Sequence, residues 1–303
     1  MVRDCRPFAA PLFDGSLEPA AFHVGLPQEE ALARLEWLVE NRGRCGLVVG
    51  AEGLGKSHLA AMAARRLGGM GAEVAMLSLG GLPPGEWIDL LLDRLPLDAR
   101  SRSEDLRPWL KLENRLRENT LMERPTVIML DDIDRAPADA VDGIGRLVAA
   151  VEPRFSRLVV VTTATPAGLC RVPDAIRNRA VVRIELRPWS EDDVAGFLRH
   201  GLGRAGADPE SFSAGAVATL ARFAGGVPRI VCRLVSLALV AAAGDDLPQV
   251  DAATIERVWR ELVPGSGHDA AGPDGRAEWI DDGQSAAEQP PASRVRAVRR
   301  LFG

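Results

Sequence analysis

The stretch Gly50-Ala51-Glu52-Gly53-Leu54-Gly55-Lys56-Ser57 decides the fold of this chain. The apolar run Gly46 to Val49 leads into it and a helical pattern leads out, so it joins a strand to a helix. Glycines let a main chain wrap closely around phosphate oxygens, and the N–H groups of the turn and the helix start supply positive potential. A lysine at position 56 neutralises β- and γ-phosphates as a point charge, and a serine hydroxyl at position 57 ligates Mg²⁺. In this context the segment reads as a P-loop (Walker A), with its lysine on an exposed turn. The candidate nucleotide-binding residues are Gly50, Gly53, Leu54, Gly55, Lys56, Ser57 and His58, with Ser57 also a metal ligand.

A second motif answers the first. Thr-Val-Ile-Met-Leu-Asp-Asp at 126 to 132 ends a buried strand on two carboxylates, and the carboxyl end of a strand faces the ligand crevice of an open α/β sheet. Asp131 is the candidate that holds Mg²⁺ through its water shell (Walker B), and Asp132 the one that orients or deprotonates an attacking water. The bland alternative is that Asp132 or Asp134 caps the next turn, since aspartate is a common cap.

Outward from these motifs, residues 1–26 read as an irregular segment rich in Pro, Phe and Ala. An amphipathic helix follows over about Pro27 to Asn41, carried by Leu32, Leu35, Leu38 and Val39. Five apolar runs, Gly46 to Val49, Val74 to Leu79, Val127 to Leu130, Leu158 to Val161 and Val181 to Leu186, alternate with helical patterns. Strands without polar alternation are buried on both faces, which predicts a doubly wound parallel α/β sheet over 27–188. Four helical patterns then occupy 189–263, at about Ser190 to Arg204, Ala214 to Phe223, Pro228 to Ala243 and Ala252 to Leu262, and predict a small all-helical domain. Residues 264–303 carry too little apolar surface to order themselves and end in a basic stretch, Arg294 to Phe302.

Composition bounds the function. The chain has 303 residues and a net charge of -5, which argues against general affinity for polyanions while leaving a local basic patch open. DNA binding is therefore not indicated by charge. Cys5, Cys45, Cys170 and Cys232 are scattered without metal-ligand spacing and read as reduced thiols of a cytoplasmic protein. The first residues lack the basic start and apolar run of a signal peptide, and no stretch approaches the ~18 apolar residues of a membrane span. The basic end is a candidate for peripheral contact with an anionic membrane, against the reading of a solvated tail. Trp37, Trp87, Trp109, Trp189 and Trp259 read as packing residues, and no histidine is expected to act as a base or ligand.

From about Phe22 to Leu262 the chain resembles the AAA+ ATPases of the general secretion pathway protein A type, with kin among transposition ATPases. Glu30 to Leu35 stand where that family shows E-A-L-x-R-L, and Gly226 to Arg229 match its G-x-P-R before the apolar helix Ile230 to Val240. The resemblance implies a P-loop NTPase with a helical lid, a polar sensor residue at the tip of the fourth strand (Thr165 first, Thr163 second), and a neighbour-directed arginine finger at Arg179. It also implies that Arg229 reaches the γ-phosphate from the lid, and that the chain forms a nucleotide-dependent homo-oligomer with an unidentified protein partner.

Three departures qualify the resemblance. The usual Asp-Glu is Asp131-Asp132 here, which draws the second carboxylate back by one methylene and predicts slow hydrolysis. Cys232 replaces the asparagine expected after G-x-P-R, and no peptidoglycan-binding module follows the helices. The expected function is an ATPase, using ATP and Mg²⁺, that serves an envelope assembly or secretion system. The alternatives are a DNA-associated regulator of the transposition type and a slow nucleotide-gated switch.

Overall fold

The computed structural model describes residues 23–96, 107–149 and 156–262. The irregular segment before residue 23, the tail from 264 and its basic end lie outside the described residues.

Five strands, β1 (Cys45–Val49), β2 (Glu73–Ser78), β3 (Thr126–Asp131), β4 (Leu158–Ala164) and β5 (Val182–Glu185), form one parallel sheet in the order β2-β3-β4-β1-β5. Every residue of β1, β3 and β4 is buried, as unalternating apolar runs require of strands covered on both faces. Alternate side chains divide between two cores. Val48, Val127, Met129, Val159 and Val161 pack under α1 (Leu26–Glu40) and α2 (Lys56–Gly69). Leu47, Val49, Ile128, Leu130 and Val160 pack on the other face, against α3 (Trp87–Asp93), α4 (Pro108–Leu121), α5 (Ala138–Ala149) and α6 (Asp174–Arg179). Each such Leu, Ile or Val contributes about 1.5–3 kcal/mol by leaving water. The doubly wound α/β sheet expected from the sequence is the one observed.

The chain leaves β1 for the edge strand β2, returns through β3 to β4 beside β1, and ends on the far side at β5. That order sets β4 between β1 and β3, so the carboxyl ends that carry the two motifs flank the tip of β4.

Beyond β5 come α7 (Glu191–Arg204), α8 (Ala214–Ala224), α9 (Pro228–Gly244) and α10 (Ala252–Leu262), which share a buried cluster of their own built on Val194, Leu198, Leu220, Leu234, Val235 and Ile255. Their boundaries have local causes. Ser190 and Asp193 form a reciprocal capping box at the start of α7, Ser213 caps α8, and Pro228 occupies the first turn of α9, where its missing N–H costs nothing. Of the tryptophans read as packing residues, Trp87 is buried, whereas Trp37 is half exposed on α1, a departure from that reading. Among the described residues no helix is long and apolar enough to cross a membrane.

Candidate functional site

The P-loop owes its shape to two left-handed glycines, Gly53 at φ 76° and Gly55 at φ 88°. Side chains rarely adopt such angles. Gly55 also precedes α2 and offers that helix no side-chain cap, so first-turn N–H groups are left for an outside acceptor. A Cβ on Gly55 would meet nothing within 4 Å, which leaves open room on the loop.

Lys56 corrects an expectation. It is only 7% exposed, and its Nζ donates to the carbonyls of Gly50 at 3.0 Å and Ala51 at 3.3 Å, rather than standing on an exposed turn. The helix start carries the lysine back over its own loop, where these acceptors replace lost water. Leu54 is buried, while Ser57 and His58 are half-buried in the first turn of α2.

Across the sheet, Asp131 ends β3 and is 5% exposed. Thr163 of β4 donates its hydroxyl to Asp131 Oδ1 at 2.5 Å and accepts the Asp132 N–H at 2.9 Å. Asp132 itself sits at φ 54°, left-handed without being glycine. Its side chain makes no capping hydrogen bond to the turn that follows. Burial, followed by the neighbouring charge of Asp131, pushes the Asp132 carboxyl above its usual range, against the pull of Lys56. Thr165 is placed differently from Thr163. Its N–H and hydroxyl both donate to Asp134 Oδ2, at 3.0 and 2.6 Å.

The two arginines are separated by the fold. Arg229 opens α9 beside the P-loop: its N–H donates to the Gly53 carbonyl at 3.2 Å, and a Cβ on Gly53 would lie 3.1 Å from the Arg229 Cβ. Arg179 ends α6 at the other end of β1, where Val181 bonds the Cys45 carbonyl and Arg179 stands close enough to Arg44 to push that guanidinium's pKa down, after burial. The length of β1, roughly 15 Å, therefore lies between Arg179 and its own P-loop. Its guanidinium is exposed and donates to the Ala149 carbonyl at 3.1 Å.

Several contacts were not legible in the sequence. Arg135 ion-pairs with Glu52 inside the P-loop, and Asp134 is buried against Thr165. In each case the partners are distant in sequence, and only the strand order makes them neighbours.

The donor set fits the groups such a fold implies. Ser57 and Asp131 carry hard oxygens of the kind Mg²⁺ takes, a cation that commonly uses one or two carboxylates with water and phosphate for the rest. Among the described residues no cluster of three His, Cys, Asp or Glu side chains forms an all-protein metal cage. None of the three described cysteines is in a disulfide, and burial holds the Cys45 thiol up at about 12, an inert state.

A parallel sheet in this order with a phosphate loop after β1 and an acidic end on β3 defines the class as the P-loop nucleoside triphosphatase fold. Residues 46–188 match the model of the ATPase family associated with various cellular activities (AAA). The chain is 26% identical over 239 residues to general secretion pathway protein A of Aeromonas hydrophila, covering 77% of this chain and 43% of that relative. It thus spans less than half the length of the curated relative it matches. Two of the solved structures with this fold illustrate the likeness. Cdc6p of Pyrobaculum aerophilum has a TM-score of 0.63 at 16% identity, covering 85% of this chain and 72% of that one. The RuvB Holliday junction branch migration motor of Thermotoga maritima has 0.53 at 13%, covering 80% and 70%.

Proposed function

We propose that this protein binds Mg-ATP between its α/β sheet and a helical lid domain, residues 189–263, and hydrolyses it slowly. The observation that carries the reading is the contact of Arg229 with Gly53, which puts the helical part on the phosphate loop itself. Lys56, Ser57 and the loop amides hold the phosphates, and Mg²⁺, held by Ser57 and Asp131, supplies positive charge to offset theirs. Asp132 orients the attacking water and accepts its proton, which burial and Asp131 favour by making the carboxylate more basic. Thr163 senses the γ-phosphate at the tip of β4, ahead of Thr165, whose N–H and hydroxyl are both taken by Asp134. Arg229 reads the same phosphate in cis and Arg179 that of a neighbour in a nucleotide-dependent homo-oligomer. Such charge placement is most of what phosphoryl transfer needs.

The system served is an envelope assembly or secretion apparatus, in line with the likeness to general secretion pathway protein A. Its place is the cytoplasm, and its protein partner is unidentified. A slow switch is favoured by one observation: residue 132 is an aspartate in a left-handed backbone, where the shorter carboxylate is the easier to hold. ATP turnover, measured with and without DNA beside the oligomeric state in each nucleotide, tests these readings. Turnover above that of Lys56→Ala supports the ATPase. Tight Mg-ATP binding with none supports the switch, and stimulation by DNA moves the function to the DNA-associated alternative.

A further inference from the structure

Asp134 is a carboxylate that no part of the proposed chemistry uses, yet it is 4% exposed. Its Oδ2 accepts both the N–H and the hydroxyl of Thr165, and the Thr165 hydroxyl oxygen in turn accepts the Gly168 N–H at 3.0 Å. The fit is close enough to dictate a neighbour: a Cβ on Gly168 would fall 2.0 Å from Asp134 Oδ2 and 2.4 Å from its Cβ. The other oxygen, Oδ1, is buried with no hydrogen-bond partner among the described residues. An apolar pair would join these segments at lower cost, because a buried carboxylate with one oxygen unmatched is expensive to desolvate.

What the arrangement secures is position. Thr163 and Thr165 are two residues apart at the tip of β4. Thr163 grips the acidic turn at Asp131 and the Asp132 amide, and Thr165 grips it at Asp134. Asp132 lies between these two ties, in the left-handed backbone that few residues other than glycine adopt. A strained conformation persists only where its surroundings over-determine it. We propose that Asp134 is a positioning residue: by clamping the turn to Thr165 it holds Asp132 in its strained backbone and so aims its carboxylate into the phosphate site. The proposal rests on the ATPase reading.

The test compares Asp134→Ala, Asp134→Asn, Gly168→Ala and Thr165→Ala in the full chain, each first checked for a cooperative thermal transition. Misplacing a catalytic group by about 1 Å can cost a hundredfold in rate. Asp134→Ala and Gly168→Ala should therefore lower kcat by about 10- to 100-fold while Kd for Mg-ATP changes by less than about threefold. Asp134→Asn keeps an acceptor for Thr165 and should retain kcat within about threefold, whereas Thr165→Ala should fall between. Wild-type kcat in folded Asp134→Ala and Gly168→Ala would overturn the proposal, as would parallel losses of binding and turnover or an Asn variant no better than Ala. If the unmodified chain turns over no more ATP than Lys56→Ala, the ATPase reading fails and takes this proposal with it. If the unmodified chain is active and the variants match it, only the positioning role falls.

Discussion

The main-chain N–H of Arg229 donates to the carbonyl of Gly53, at 3.2 Å, so the first turn of α9 rests on the glycine loop that follows β1. The side chains of Val227 and Arg229 both face the bare side of Gly53, 2.8 and 3.1 Å from where its Cβ would stand.

Removing the Arg229 side chain leaves that main-chain bond but takes away the charge. A hydrogen bond to a charged group is worth about 1.5–3 kcal/mol, so Arg229→Ala should weaken ATP binding roughly 10- to 100-fold, even in isolated subunits. Equilibrium titration with a fluorescent ATP analogue checks this. Unchanged affinity would remove Arg229 from the nucleotide site.

Asp132→Glu restores the longer carboxylate and should raise turnover without much change in ATP affinity. The same substitution should lower the melting temperature, because a left-handed backbone costs an ordinary L-residue about 1–2 kcal/mol and glutamate lacks the local hydrogen bonding that eases it for aspartate. A drop in rate would mean that the space beside Gly80, whose Cβ position is 3.6 Å from Asp132 Oδ2, is shaped for the shorter side chain.

His23 and His200 lie with ring centroids 5.5 Å apart, beside Trp189 and Phe197. Burial depresses both pKa values. His200 and Arg199 lower that of His23 further, against the attraction of Asp193, and Arg204 lowers that of His200. Both rings thus bind protons more weakly in the folded chain than in the unfolded one. Their contribution to stability is present above about pH 6.5 and is lost as the pH falls through the folded-state values. The melting temperature should drop between about pH 7.5 and about pH 5.5, and His23→Gln should flatten that dependence. An unaltered slope would show that other groups govern the acid side.

Arg179 stands a strand's length from its own P-loop, so its loss should leave nucleotide binding by a monomer nearly unchanged. In an assembly the loss of a trans-acting arginine can cost ~10³ or more in rate. Mixing Arg179→Ala with Lys56→Ala should recover part of the turnover, since one brings a sound phosphate site and the other a sound arginine. Mixed oligomers that recover nothing would leave a monomeric switch as the reading.

Much of this was legible in the sequence because it depends on near neighbours. The glycines before Lys56 announce a turn that wraps closely, the runs around Ile128 and Val160 have no polar alternation and so announce doubly covered strands, and the apolar spacing from Ser190 to Arg204 announces a helix. What only the tertiary structure decided are meetings between residues far apart in the chain. The strand order put Thr163 rather than Thr165 on Asp131, buried Asp134 against Thr165, brought Glu52 to Arg135 and held Arg179 away, while the packing of α9 set Arg229 on Gly53. The physical reason is one of range. Backbone angles and helix caps answer to residues within a few positions, whereas the partner of a buried carboxylate is set by which strands lie side by side, and no local pattern records that.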